Sequence, residues 1–260
     1  MSAQPEIHVL KDSREWTARA ATLTLDVQRQ AVRQHGRFLL ALSGGRTPEE
    51  VYRRLSSQSS PAALEWSKTH FLFSDERCVP ADDAESNYRL AEQALFRPLN
   101  IPPDRIHRMK GEHSDPHAAA REYEDELRAL TIGAHTAWPQ LDLIMLGVGN
   151  DGHTASLFPG TDAVHERRHW VTVGHAPFNP TTRLTLTLGV INQATVVLFL
   201  ATGEGKADIV KRVLEPLEAS DQQLPAALVR PERGRLIWLL DGASAAKLTG
   251  RYTGSGDTPT

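Results

Sequence analysis

Runs of mostly apolar residues recur along the chain at Ile7 to Leu10, Phe38 to Leu42, His70 to Phe73, Leu141 to Val148, Val196 to Ala201 and Leu236 to Leu240. A strand that is apolar at successive positions needs cover on both faces, which a parallel sheet between layers of helix supplies. The segments between the runs keep a helical period. Trp16, Ala20, Leu23, Val27 and Ala31 step by three or four, behind an Asp12 and Glu15 pair spaced as a capping box. Thr47, Pro48 and Glu50 predict a second helix start with Pro at the first helical position, and Asp115 with Pro116 predicts a third helix reaching about Leu130. Ile209, Val210, Val213, Leu214 and Leu217 predict a later one. Strands alternating with helices specify a single α/β domain over residues 1–250, built on a mostly parallel, doubly wound, Rossmann-like sheet with helices on both faces. Pro and Gly content predicts loops at Asn100 to Gly111 and Gly174 to Pro180, and a flexible tail over residues 251–260.

Charge bounds what such a domain can do. Lys plus Arg number 29 against 32 Asp plus Glu, for a formal charge of −3, and no basic run occurs. The electrostatic footprint of nucleic-acid binding is therefore missing. No stretch approaches the ~18 uninterrupted apolar residues of a membrane span. The opening MSAQPEIHVLKD lacks a basic segment followed by an apolar one, so the expectation is a cytoplasmic protein without a membrane partner. Cys78 is the only cysteine, which excludes an intrachain disulfide and any multi-cysteine metal site.

In an open parallel sheet, ligands sit beyond the carboxyl ends of the strands, and three of those ends are informative. Ser43-Gly44-Gly45-Arg46-Thr47-Pro48 joins a strand to a helix start. It suits either a phosphate cradle of backbone N–H groups or a plain Gly-rich turn with a Thr cap. It is not a Walker A loop, because no Lys occupies the required position. Ser43, Asp75 and His153 follow the α/β-hydrolase order, but Ala41 stands where a nucleophile elbow needs its first Gly.

At the second end, Ser74-Asp75-Glu76-Arg77-Cys78-Val79-Pro80 precedes an acidic loop and Ser86-Asn87-Tyr88. Two carboxylates and a guanidinium could orient a base, bind sugar hydroxyls or stabilise developing negative charge, or they could simply close a loop by ion pairing. Cys78 has no base placed beside it by any motif, so a loop thiol is expected rather than a nucleophile.

The third end reads Gly147-Val148-Gly149-Asn150-Asp151-Gly152-His153-Thr154-Ala155-Ser156-Leu157-Phe158-Pro159-Gly160. Its glycines match a dinucleotide fingerprint mechanically, but Pro159 interrupts the helix that fingerprint requires. The glycines, Gly149 among them, instead let backbone approach a small ligand with His153 presented at the sheet edge. An imidazole there is suited to taking a proton from water near neutral pH. Arg183, in an alternating half-buried strand, and Lys206, at a later strand-to-helix turn, are further cations in search of a partner. His165, His169 and His175 form no HExxH or His-x-His arrangement, so no metal is expected.

SGGRTP, SDERCVP with SNY, GVGNDGHTASLFPG, TRLTLT, TGEGK and the closing LPAALV with WLLDGASA together resemble the 6-phosphogluconolactonase family from about residue 5 to 248. The resemblance implies hydrolysis of 6-phospho-D-glucono-1,5-lactone to 6-phosphogluconate, the second step of the oxidative pentose phosphate pathway, without metal or organic cofactor. It also implies the fold shared with glucosamine-6-phosphate deaminases and ribose-5-phosphate isomerases. Separately, a monomer or weak homodimer is expected. By the same resemblance His153 is the general base, Asp151 belongs to the loop that positions it, and Asp75 with Arg77 contacts substrate. Ser43, Gly44, Gly45 and Thr47 would hold the phosphate with Arg183 and Lys206. Arg46 stands where the family often has a small residue, with a consequence for phosphate affinity. The oxyanion could be met by Arg77 or by a glycine-loop N–H. Two other readings share the fold: a sugar-phosphate deaminase or isomerase, which would resemble GHIAFNEP where this chain has no matching Glu, and a sugar-phosphate sensor, which would need a DNA-binding segment.

Overall fold

The computed structural model describes residues 4–57, 65–131, 138–250 and 252–254. In chain order the elements are β1 (Glu6–Leu10), α1 (Ser13–His35), β2 (Phe38–Leu42), α2 (Arg46–Ser56), β3 (Thr69–Phe73), β4 (Asp75–Arg77), α3 (Asn87–Ala91), α4 (Arg97–Leu99), α5 (Pro116–Leu130), β5 (Leu143–Leu146), α6 (Asp162–His165), β6 (Val171–His175), β7 (Thr182–Leu186), α7 (Leu188–Ile191), β8 (Val196–Ala201), α8 (Ala207–Leu214), β9 (Arg235–Asp241) and β10 (Thr253–Gly254). Seven strands form a parallel sheet in the order β10-β1-β9-β8-β5-β2-β3. Every residue of β2, β5 and β8 is buried, as cover on both faces requires. The expected α/β architecture is therefore the observed one.

Local signals account for the long helices. Asp12 caps α1 by accepting the Glu15 N–H at 2.8 Å, Gly36 closes it in the left-handed conformation, and the Trp16 indole donates to the Leu239 carbonyl in β9. Asp115 caps α5 through the His117 N–H. The start of α2 departs from expectation: it begins at Arg46 with Gly45 at the cap, no side chain caps it, and Pro48 is its third residue. The Thr47 hydroxyl is turned instead toward the Thr202 hydroxyl at 3.2 Å, across to the end of β8. Leu217 lies beyond α8 and is 84% exposed, because that helix ends at Leu214. Gly174 and His175, expected in a loop, belong to β6.

A second, antiparallel sheet of order β4-β7-β6 was not legible as such. It springs from the carboxyl end of β3, separated from β4 only by Ser74, and pairs Asp75 with Thr185, Glu76 with Leu184 and Arg77 with Arg183. Part of the expected tail is also a strand, since Thr253–Gly254 pairs with β1. Residues 251 and 255–260 lie outside the described ones.

Candidate active site

Neighbouring strands β2 and β5 send the chain in opposite directions: β2 leads outward to β3, whereas β5 leads to β8 and β9. That reversal opens a crevice at their carboxyl ends, the position where sheets of this kind bind ligands. A cavity of about 320 Å³ occupies it. Four strand ends converge there: Ser43 to Thr47 after β2, Asp75 and Arg77 after β3, Gly149 and His153 after β5, and Lys206 after β8, with Arg183 supplied by β7. Of the residues to which the family resemblance gives a role, only Asp151 does not line the cavity. It touches His153 instead.

The imidazole is held from behind. Asp151 Oδ1 lies 2.6 Å from His153 Nδ1 and also accepts the His153 backbone N–H at 3.1 Å. An oxygen that already accepts one N–H sets the ring tautomer, with Nδ1 protonated and Nε2 left as an acceptor. The Phe158 ring packs 4.3 Å away, centroid to centroid. Gly149 is required by this arrangement, since a Cβ there would sit 2.0 Å from His153 Nδ1. The loop is tied down by Thr154 Oγ1 donating to the Gly147 carbonyl and by the Gly149 N–H donating to the His153 carbonyl.

Strand parity separates the two carboxylates of the second motif. Asp75 and Arg77, two residues apart, face the cavity, and Glu76 turns the other way. Glu76 is buried and accepts the backbone N–H groups of Arg77, Asn87 and Tyr88 and the Ser86 hydroxyl, which fastens α3 to β4; burial pushes its carboxyl above the usual range. Asp75 accepts Ser156 Oγ at 2.7 Å and Asn87 Nδ2 at 3.2 Å. Gly44 is needed beside this pair, because a Cβ there would meet Asn87 Oδ1 at 1.8 Å. The Cys78 thiol is pushed up to about 11, by burial first and by Glu76 second, so it is not a thiolate at neutral pH.

The cations approach from opposite flanks. Arg183 is buried, stands across from Arg77 in the β4–β7 register, and has an Nε without a hydrogen-bond partner among the described residues. Burial and the neighbouring Arg77 both lower its pKa from the usual value, conditions that an anion between the two guanidiniums would relieve. Lys206, on the β8 side, donates to Asn150 Oδ1 at 2.8 Å, and burial lowers its pKa as well.

The family model of glucosamine-6-phosphate isomerases/6-phosphogluconolactonase matches residues 11–238. The chain belongs to this family. It is similar to the 6-phosphogluconolactonase of Nostoc, 37% identical over 243 residues covering 94% of this chain and 98% of the relative. The human 6-phosphogluconolactonase is 42% identical over 248 residues, covering 94% and 93%. Among solved structures, the 6-phosphogluconolactonase from Trypanosoma cruzi superposes with a TM-score of 0.85 at 33% identity, covering 96% of this chain and 99% of that one.

Several cavity residues had no role assigned from sequence. Asn87 and Ser156 lie inside motifs that were noticed, and Thr202 follows a recognised strand. Phe158 and Phe178 carried no chemical signal, because an apolar residue in a loop is indistinguishable from packing until its neighbours are known.

Proposed function

We propose that this chain is a lactone hydrolase that converts 6-phospho-D-glucono-1,5-lactone to 6-phospho-D-gluconate, the second step of the oxidative pentose phosphate pathway, with His153 activating the water. The observation that carries the reading is the Asp151-held imidazole, whose Nε2 is free to accept, in the same cavity as an uncapped helix start, the buried Arg183 and the half-buried Lys206. Nε2 takes a proton from water as the oxygen bonds to the lactone carbonyl carbon. The tetrahedral oxyanion then collapses, the bond from that carbon to the ring oxygen breaks, and the ring oxygen recovers the proton from the imidazolium. Arg77 or an N–H of the glycine loops can receive the transient oxyanion. An activated ester needs little beyond this and tight positioning.

The phosphate is assigned to the Ser43-Gly44-Gly45-Arg46-Thr47 turn with Arg183 and Lys206, where backbone N–H groups, the helix dipole and two partly desolvated cations favour a dianion. The enzyme is expected in the cytoplasm as one 1–250 domain, monomeric or weakly dimeric. The test offers purified protein freshly generated 6-phosphogluconolactone and, separately, glucosamine 6-phosphate. Acid release above the spontaneous rate from the first, with no ammonia from the second, is expected; ammonia release alone would replace the reading with a deaminase.

A further inference from the structure

Among the described residues, only two large apolar side chains are exposed, Leu217 and Phe178. Isolated exposed apolar residues are ordinary on protein surfaces, so exposure by itself assigns nothing. Position sets Phe178 apart. It is half in water (50% exposed) yet lines the cavity, because the turn between β6 and β7, closed by the Ala176 N–H donating to the Thr181 carbonyl, carries it over the mouth. Its ring stands nearly perpendicular (80°) to that of Phe158 at 5.7 Å, lies 6.4 Å from the His153 ring, and has the Arg183 guanidinium carbon 5.8 Å from its centroid. An apolar plane thus borders both the imidazole and the most buried cation.

We propose that Phe178 is a specificity-determining residue, a platform against which the C–H face of a cyclic sugar phosphate packs and which an open-chain polyhydroxy phosphate cannot use. The inference rests on the lactonase reading for its choice of ligand and deepens it. A six-membered sugar ring presents contiguous C–H groups on one face, and covering the exposed part of Phe178 with that face removes apolar surface from water on both partners. The flexible open chain keeps its hydroxyls directed to solvent and would lose more conformational freedom in matching the plane. Phe178 therefore favours the ring substrate over the open-chain product, which promotes product release.

Calorimetric titration with a matched, non-hydrolysable pair tests this: 1,5-anhydroglucitol 6-phosphate as the ring and glucitol 6-phosphate as the open chain, against wild type, Phe178→Ala, Phe178→Leu and Phe178→Tyr. Phe178→Ala should weaken ring binding about three- to tenfold, the size of an aromatic contact, and open-chain binding less than about twofold. Phe178→Tyr should restore the ring preference and Phe178→Leu should not. Equal losses on both ligands, an unchanged ring affinity, or a Phe178→Leu variant indistinguishable from wild type would overturn the proposal. Because binding is measured without turnover, failure of the lactonase reading in the acid-release assay is a separate result. Near-identical melting temperatures for the four proteins exclude misfolding as the cause.

Discussion

Asp151 Oδ1 grips His153 twice, at the ring Nδ1 (2.6 Å) and at the backbone N–H (3.1 Å), so one carboxylate sets both the tautomer and the place of the imidazole. His153→Ala should therefore lower turnover about 10²–10⁴-fold, the usual contribution of a general base. Asp151→Asn should forfeit a substantial part of that factor with KM little changed, since an amide can present its N–H and stabilise the wrong tautomer. Initial rates corrected for spontaneous lactone hydrolysis decide it. A His153→Ala enzyme keeping a third of wild-type turnover excludes this base.

Gly147 and Gly149 of the same loop should behave differently. Gly149→Ala would drive a methyl into the space of His153 Nδ1, whereas a Cβ on Gly147 meets nothing within 4 Å. Gly149→Ala should lose most activity while remaining folded by circular dichroism, and Gly147→Ala should stay close to wild type. Similar kcat/KM in the two variants would show that the loop does not depend on this close approach.

Removing either cation should act through the phosphate. A charge-assisted hydrogen bond is worth about 1.5–3 kcal/mol, so Arg183→Ala and Lys206→Ala should each raise KM for the phosphorylated lactone roughly ten- to a hundredfold. The same substitutions should scarcely change the weak hydrolysis of unphosphorylated gluconolactone. Equal proportional losses on both substrates would move these cations away from the phosphate.

A pH dependence of stability should arise far from the cavity. Arg105 Nη1 donates to His70 Nε2 (2.8 Å), so the His70 Nδ1–H faces His107 Nε2 (2.9 Å) and the His107 Nδ1–H faces Glu126 (2.6 Å). Burial, then His107 and Arg105, lower the His70 pKa from 6.5 to about 4. As pH falls between these values the unfolded chain takes up a proton that the folded chain refuses, and stability drops. The melting temperature should decline from pH 7 toward pH 4.5, with a shallower decline in His70→Gln. Parallel curves for the two proteins would remove His70 from the effect.

The strands of the main sheet other than β10, the capped starts of α1 and α5, and the chemical motifs of three strand ends were all readable because each rests on neighbours within a few residues: runs of apolar side chains, an Asp ahead of a helix, glycines around a histidine. The same local view misread the start of α2, where the Thr47 hydroxyl has a partner, Thr202, that lies 155 positions away. It likewise grouped Asp75 with Glu76, which strand pleating sends to opposite sides. Short-range patterns thus specify the alternation of strands and helices and the residue types available for chemistry. Tertiary structure decided which of them meet: Arg77 opposite Arg183, Asn87 against Gly44, Phe178 over the cavity. Those meetings depend on sheet order, register and side-chain direction, which arise from packing the whole core at once and are not encoded in any short window of the chain.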